Sequence, residues 1–333
     1  MARKSKSKKG EDFVFTKDSP SKLLISVSAK NAGQKKALKA ISENQVTFIY
    51  GAPGTGKAQP LDSTVFTPNG PVKMGSLQKG DKVCTPDGSS SKILAIFPQG
   101  KKDIYKLTFA DGSSVECCKE HLWRITERNS SDRDEKKVVD TDYIINNLHT
   151  NLGERNIYIE LSSAVGFSKK NLLIDPYILG VLIGDGNICN ANVCVSSADE
   201  EILAAIQNDI PSGYSLKKSF GEYDYRIVKT TLHNLNGSQS NIYKDSLRLY
   251  GLWGKKSYEK FIPEDYLYSS EEDRWAILQG LMDTDGSVNK KTGQAYFCTS
   301  SEILASDVKL LVDSLGGLCT CLLYTSDAAD EED

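Results

Sequence analysis

Two nine-residue stretches, ILGVLIGDG at residues 178–186 and LQGLMDTDG at 278–286, constrain the fold of this chain more than any other feature. Each is an apolar helical pattern with a glycine in its third place and Asp-Gly at its end. The final acids, Asp185 and Asp285, lie 100 residues apart. Glycine at 180 and 280 lets two helices approach backbone to backbone, and Gly186 and Gly286 are expected to stop them as C-caps. A strand (188–195, 295–299) and a further helix (198–207, 301–315) are expected after each. Such a repeated unit implies a pseudo-twofold arrangement. Paired across that axis, Asp185 and Asp285 would stand side by side, able to share divalent cations and clamp the attacking and leaving oxygens of a phosphodiester. A single Asp-Gly more often caps a helix; two copies closing the same pattern favour the functional reading.

The rest of the 333-residue chain changes character twice. Residues 34–43 read as an amphipathic helix and 45–50 as a buried strand feeding GAPGTGK, residues 51–57, a phosphate-binding loop up to its lysine. The next residue should be Ser or Thr, and a helix should follow. Instead, Ala58 opens a run of short alternating strands with turn signals at 67–70, 85–88, 99–100 and 111–112. The α/β unit stops in mid-motif and an all-β unit begins. A short helical pattern lies near 142–148.

Composition is that of an ordinary globular protein, 39% hydrophobic and 26% charged, with net charge −3 and no apolar run long enough to span a membrane. Eight scattered cysteines without framework spacing point to a reducing, cytoplasmic setting. Charge is uneven. Residues 171–320 carry about −7, yet within them 211–260 hold nine Lys/Arg against four Asp/Glu, interleaved with tyrosines, Phe220 and Trp253. That stretch, with Lys217, Lys218 and Lys229, is the expected DNA-contact surface.

The repeated segments resemble the two signature motifs of LAGLIDADG (dodecapeptide, DOD-type) homing endonucleases, and KSYEKFIPEDYL at 256–267 resembles the lysine-containing block between them. The resemblance implies an α+β two-repeat domain over 171–320 that hydrolyses double-stranded DNA with Mg²⁺. It makes Asp185 and Asp285 the catalytic, metal-binding acids, and Lys256, chosen over Lys255 or Lys260, the lysine near the scissile phosphate. Residues 58–73 and GSSVECCKEHLWRI at 112–125 resemble the first two blocks of an intein, implying half of an all-β Hint domain over 58–165. His121 would then polarise the Lys57–Ala58 bond, since an imidazole can donate to a scissile amide near neutral pH. Two residues depart from that pattern. Ala58 has no nucleophile, and Cys118 stands where Thr is usual. Trp123, two residues after His121, resembles the subclass of inteins that begin without a nucleophile.

Residues 1–57 resemble the start of PhoH-like P-loop ATPases, with Gln34 as the adenine reader and Gly51, Gly54, Gly56 and Lys57 as the phosphate loop. The chain thus reads as multidomain: a partial P-loop α/β segment, a Hint half-domain, an endonuclease, and an aberrant acidic tail at 321–333 that resembles translated adapter sequence. ATP is expected to bind only in the spliced host. The partner is the intein-less allele of the host gene, with no membrane and a monomeric state. Reading the chain as C-terminally truncated, it is not expected to splice as written. The rival readings are a degenerate DNA-binding intein remnant and an ATP-binding protein with an insertion.

Overall fold

The computed structural model describes residues 59–322 apart from 97, 99, 129–134, 190–191 and 231–240. The glycine loop with Gln34, Gly51, Gly54, Gly56 and Lys57, the elements expected at 34–43 and 45–50, Ala58, and the tail from 323 onward lie outside the described residues.

The expected turns build a β unit of hairpins. Strands β1 (Thr64–Thr67) and β2 (Gly70–Lys73) pair across Pro68-Asn69. Strands β3 (Lys82–Cys84) and β4 (Ser90–Lys92), then β5 (Tyr105–Thr108) and β6 (Ser114–Cys117), close over Gly88 and Gly112. Both glycines have φ 83°, a left-handed conformation that these turns require. Strand β7 (Leu122–Glu127) runs antiparallel between β8 (Lys137–Asp140) and β9 (Ile157–Ile159). Helix α1 (Thr141–Asn147) starts where the Asp140 carboxylate accepts from the Tyr143 amide. Met74, Leu77, Val83 and Ile93 form a small core of their own.

The second region contains α2 (Pro176–Gly184), β10 (Gly186–Asn187), β11 (Cys194–Ser196), α3 (Glu200–Asp209), β12 (Tyr214–Lys218), β13 (Asp224–Lys229) and α4 (Ile242–Leu249). After them come α5 (Glu264–Leu267), α6 (Glu271–Asp285), β14 (Gly286–Val288), β15 (Ala295–Phe297) and α7 (Glu302–Ser314). The order α2-β10-β11-α3 recurs as α6-β14-β15-α7, which is the internal repeat. Each repeat carries an antiparallel hairpin after its first helix, not the single strand expected there. The first repeat extends its hairpin into a four-stranded antiparallel sheet, β10-β11-β13-β12.

Helix α2 is apolar on every side and every side chain from Tyr177 to Ile183 is buried, so it runs through the middle of the core. Asp175 caps it, accepting from the amides of Tyr177 and Ile178, and Pro176 supplies a fixed φ at its first position. Helix α6 begins at Ser270, with Glu271, Glu272 and Asp273 set against the positive end of its dipole.

Residues 163–168 join the two regions and are pinned to both. The Ser163 amide donates to Pro86 O, Ser168 N to Pro68 O, and Val165 N to Ser314 O. The Phe167 ring meets Phe66 at 5.7 Å and Tyr268 at 5.5 Å, both edge-on. Arg274 of α6, wholly buried, donates to Ser269 O, to the carbonyl and hydroxyl of Ser314, and to Val165 O. Its guanidinium lies 4.9 Å from the Phe167 ring centre. Burial pushes Arg274 down to about 10, against the opposing charge of Glu271.

Candidate functional site

Helices α2 and α6 pack backbone to backbone, as the repeated glycines predict. A Cβ added at Gly180 would lie 3.0 Å from Gly280 Cα, and one at Gly280 would lie 2.9 Å from Val181 N. The Tyr177 hydroxyl crosses the pair to donate to Asp283 at 3.0 Å. The glycines that end the helices serve another purpose than the one expected. Gly286 has φ −90°, so it is no left-handed cap, and Gly186 begins β10. A Cβ at 286 would press on the Met282 carbonyl and one at 186 on Leu182. Each glycine lets the chain turn from helix to strand against its own last turn.

That packing carries Asp185, at the end of α2, and Asp285, the last residue of α6, to one place. Oδ2 of Asp285 would lie 3.4 Å from a Cβ at Gly184. Burial, and next the Asp185 charge, push the Asp285 carboxyl up, while Lys260 opposes both. The structure therefore brings the two predicted acids together.

It also brings in a lysine that sequence reasoning passed over. Lys260, 6% exposed, donates to the carbonyls of Gly184 (2.9 Å), Gly186 (3.1 Å) and Leu182 (3.5 Å). Its own carbonyl is fixed by the Ser301 hydroxyl at 2.7 Å. An ammonium there meets the negative end of α2 and two carboxylates at once. Burial lowers its pKa despite Asp285, Cys189 and Asp185, which all favour the charged form. Lys256 is exposed at the start of the short 3-10 turn at Ser257–Glu259, and among the described residues its side chain forms no ion pair with either acid.

The residues around His121 form a second cluster. Its ring meets Trp123 edge-on at 4.9 Å, and Trp123 Nε1 donates to the buried Thr141 hydroxyl at 2.9 Å. That hydroxyl contacts the His121 carbonyl at 3.3 Å, and the Thr141 amide donates to the same carbonyl at 2.9 Å. Trp123 is thus tied to the His121 backbone through Thr141, a residue the sequence did not single out. Cys118 is buried, its carbonyl accepting from the His121 amide at 3.1 Å. Burial raises the neighbouring Cys117 thiol.

The four-stranded sheet offers a third surface. Leu216 and Ile227 pair on the face that meets the core, so alternation puts Asn187, Cys194, Ser215, Lys217, Arg226 and Val228 on the other face. Lys217 and Arg226 are direct cross-strand neighbours there. Arg226 is half-buried, and its Nε is a buried atom with no hydrogen-bond partner among the described residues. Lys218 and Lys229, expected beside Lys217, fall on the opposite alternation and reach solvent only from the strand ends.

Residues 272–319 match the family described as LAGLIDADG-like domain. This segment contains most of α6, the β14–β15 hairpin and α7, and so includes Asp285. Among curated proteins, the replicative DNA helicase DnaB of Mycobacterium intracellulare is 28% identical over 291 residues, covering 82% of this chain and 45% of that protein. The DnaB of Rhodothermus marinus is 24% identical over 68% of this chain and 23% of its own length. That of a Nostoc species is 33% identical over 28% and 11%. The chain spans less than half the length of these relatives. They are named as replicative helicases, so the PhoH-like host expected from residues 1–57 finds no support among them. Among solved structures, the gp41-1 intein is similar over 33% of this chain and 90% of its own, with 23% identity and a TM-score of 0.23. A substituted form of it gives 27% identity and a TM-score of 0.20.

Proposed function

We propose that residues 171–320 are an intein-borne homing endonuclease that hydrolyses both strands of a DNA duplex, and that 58–165 are the upstream half of the splicing domain carrying it. The observation that supports the first part is the convergence of Asp185 and Asp285 at the ends of two helices locked by Gly180 and Gly280. Two neighbouring carboxylates of like charge, Asp285 half-buried and Asp185 exposed, suit a divalent cation. Among the described residues no third His, Cys, Asp or Glu joins them. Two protein carboxylates, with the remaining positions left to water and phosphate oxygens, is how Mg²⁺ is commonly held. When bound there, Mg²⁺ would supply charge to the phosphodiester oxygens and acidify a water.

The chain's own residues do the positioning. Helix packing sets the spacing of the acids, and Lys260 holds the carbonyl end of α2 in place. Its three ammonium protons are directed at backbone oxygens, so it orders the acid-bearing turn and does not reach for phosphate. We assign that ordering role to Lys260 in preference to any role at the acids for Lys256. Lys217 and Arg226 present positive charge to the backbone of the duplex.

For the splicing half, His121 would act on the Lys57–Ala58 amide, with Trp123 and Thr141 fixing its backbone. The interrupted loop marks an ATP-binding host, and the names of the relatives favour a replicative helicase. A second reading, an inactive DNA-binding remnant, draws on the sheet of the second repeat, which has two strands among the described residues where the first has four.

The experiment is Mg²⁺-dependent cleavage of a duplex encoding the uninterrupted glycine loop. The chain should cut both strands, and Asp185→Asn or Asp285→Asn should each abolish cutting while duplex binding persists. Full cleavage by either variant sinks the endonuclease assignment. Binding without cleavage by the unsubstituted chain selects the remnant.

A further inference from the structure

The β12–β13 hairpin ends in a tip, residues 219–223, that is built rigidly and yet displays a bare aromatic ring. The Ser219 amide donates to Asp224 O at 2.7 Å and closes the tip. The Asp224 carboxylate accepts from Ser196 of β11 at 2.6 Å, and Ser197 N donates to Tyr223 O at 2.9 Å, which ties the tip to the neighbouring strand. A Cβ at Gly221 would press on the Asp224 carboxylate, so that side chain lies directly over the tip. On this anchored tip Phe220 is wholly exposed, at 102% relative accessibility, and Tyr223 is half exposed at 51%. Single exposed apolar residues are ordinary on protein surfaces. A fully bare phenylalanine on a tip held by three hydrogen bonds is not. Its setting is basic: Lys217 and Lys218 precede it on β12, and Arg226, the cross-strand neighbour of Lys217, follows on β13.

We infer that Phe220 is a wedge that enters a base step of duplex DNA, with Lys217 and Arg226 holding the flanking phosphates. The inference rests on the DNA-binding reading above. Its physical logic is that of apolar side chains that partly unstack a base step and bend the duplex. Water exposure of the ring costs free energy in the unbound protein, and stacking against a base recovers it. Because the tip is already ordered, little conformational entropy is lost on insertion. Phosphate contacts from Lys217 and Arg226 set the salt dependence, whereas ring insertion is insensitive to salt, so the two contributions separate experimentally.

The test uses the full chain and a mixed-sequence duplex, with heparin as a polyanion that has no bases. Phe220→Ala should weaken duplex binding about tenfold with the slope of log affinity against log salt unchanged. Lys217→Ala should instead lower that slope by about 0.9 for each phosphate the side chain no longer neutralises. Phe220→Trp, read as the difference from the unsubstituted chain, should lose tryptophan fluorescence on adding duplex and keep it on adding heparin. Salt-dependent duplex binding that Phe220→Ala leaves intact, with no quenching in Phe220→Trp, overturns the wedge while the DNA-binding reading stands. Absence of salt-dependent binding by the unsubstituted chain overturns both. Concentration-dependent self-association that disappears in Phe220→Ala, with duplex binding unchanged, overturns the wedge in favour of a second copy of this chain as the occupant.

Discussion

Gly280→Ala tests the helix pair directly, because the three nearest atoms the new methyl would meet all belong to backbone. It would lie 2.9 Å from Val181 N, 3.1 Å from Gly180 Cα and nearer still to Tyr177 O, where ordinary contact begins at 3.4 Å. No side chain can swing aside, so α2 and α6 must separate by roughly 1 Å along the contact. Interfaces of this kind forfeit a quarter to a half of their dispersion attraction at such a gap, and overpacked cores lose about 1–3 kcal/mol. Alanine gains back about 1 kcal/mol as the better helix former. The contacts being rigid, the upper part of the range applies and a net loss of about 1–2 kcal/mol remains. For a unit of this size that lowers Tm by roughly 3–6 °C. Circular dichroism melts of the full chain read this, beside the rate of duplex cleavage, which should fall with the displacement of Asp285. Gly180→Ala should cost a similar amount, and the double variant less than the sum, since one separation relieves both clashes. An unchanged or raised Tm in Gly280→Ala, or strict additivity in the double, would refute the close-packed geometry.

Asp285 has a folded-state pKa raised above its unfolded value, so its ionisation works against folding. Its favourable contribution is present below the ordinary carboxylate range and is lost as pH rises through the raised value. Asp285→Asn should therefore melt higher than the parent at neutral pH, the gap closing in acid; a gap that widens in acid contradicts the assignment. Trp123→Phe removes the donor to the buried Thr141 hydroxyl and should cost about 1–2 kcal/mol in chemical denaturation. Thr141→Val, which removes the acceptor as well, should add little to it. Arg274→Met leaves the carbonyls of Val165, Ser269 and Ser314 without their shared donor and should cost about 3 kcal/mol or more. Amide exchange at Val165 and Phe167 should accelerate with it, and protection equal to the parent would argue against the clamp.

The parts of this architecture that were legible in the sequence are those where one residue type answers one backbone demand. Gly88 and Gly112 announced their turns because only a left-handed residue closes them, and Gly180 and Gly280 announced a helix contact too close for any side chain. Asp185 and Asp285 followed from the same repeat. The hairpins after α2 and α6 read as single strands because β10 and β14 are only two and three residues long, too short for an alternation to register. Lys260 was hidden among Lys255 and Lys256, which share its local pattern; only the tertiary fold drives one of the three under the end of α2. Arg274 sits in the charged run EEDR and reads as a surface residue, although it is among the most deeply buried side chains. Lys218 could have been separated from Lys217 by strict alternation from Leu216.

The strap at 163–168 bears on any attempt to shorten this protein. Phe167 meets Phe66 of the β unit on one side, and on the other it lies under Tyr268 and Arg274. Genetic removal of the second region would strip the lid from the Phe167 ring and leave it, with Phe66 beside it, open to solvent. What remained would present an adhesive apolar stripe to water. A minimised descendant of this chain, whether made by drift or at the bench, would have to rewrite that stripe in polar residues before it could stay soluble alone.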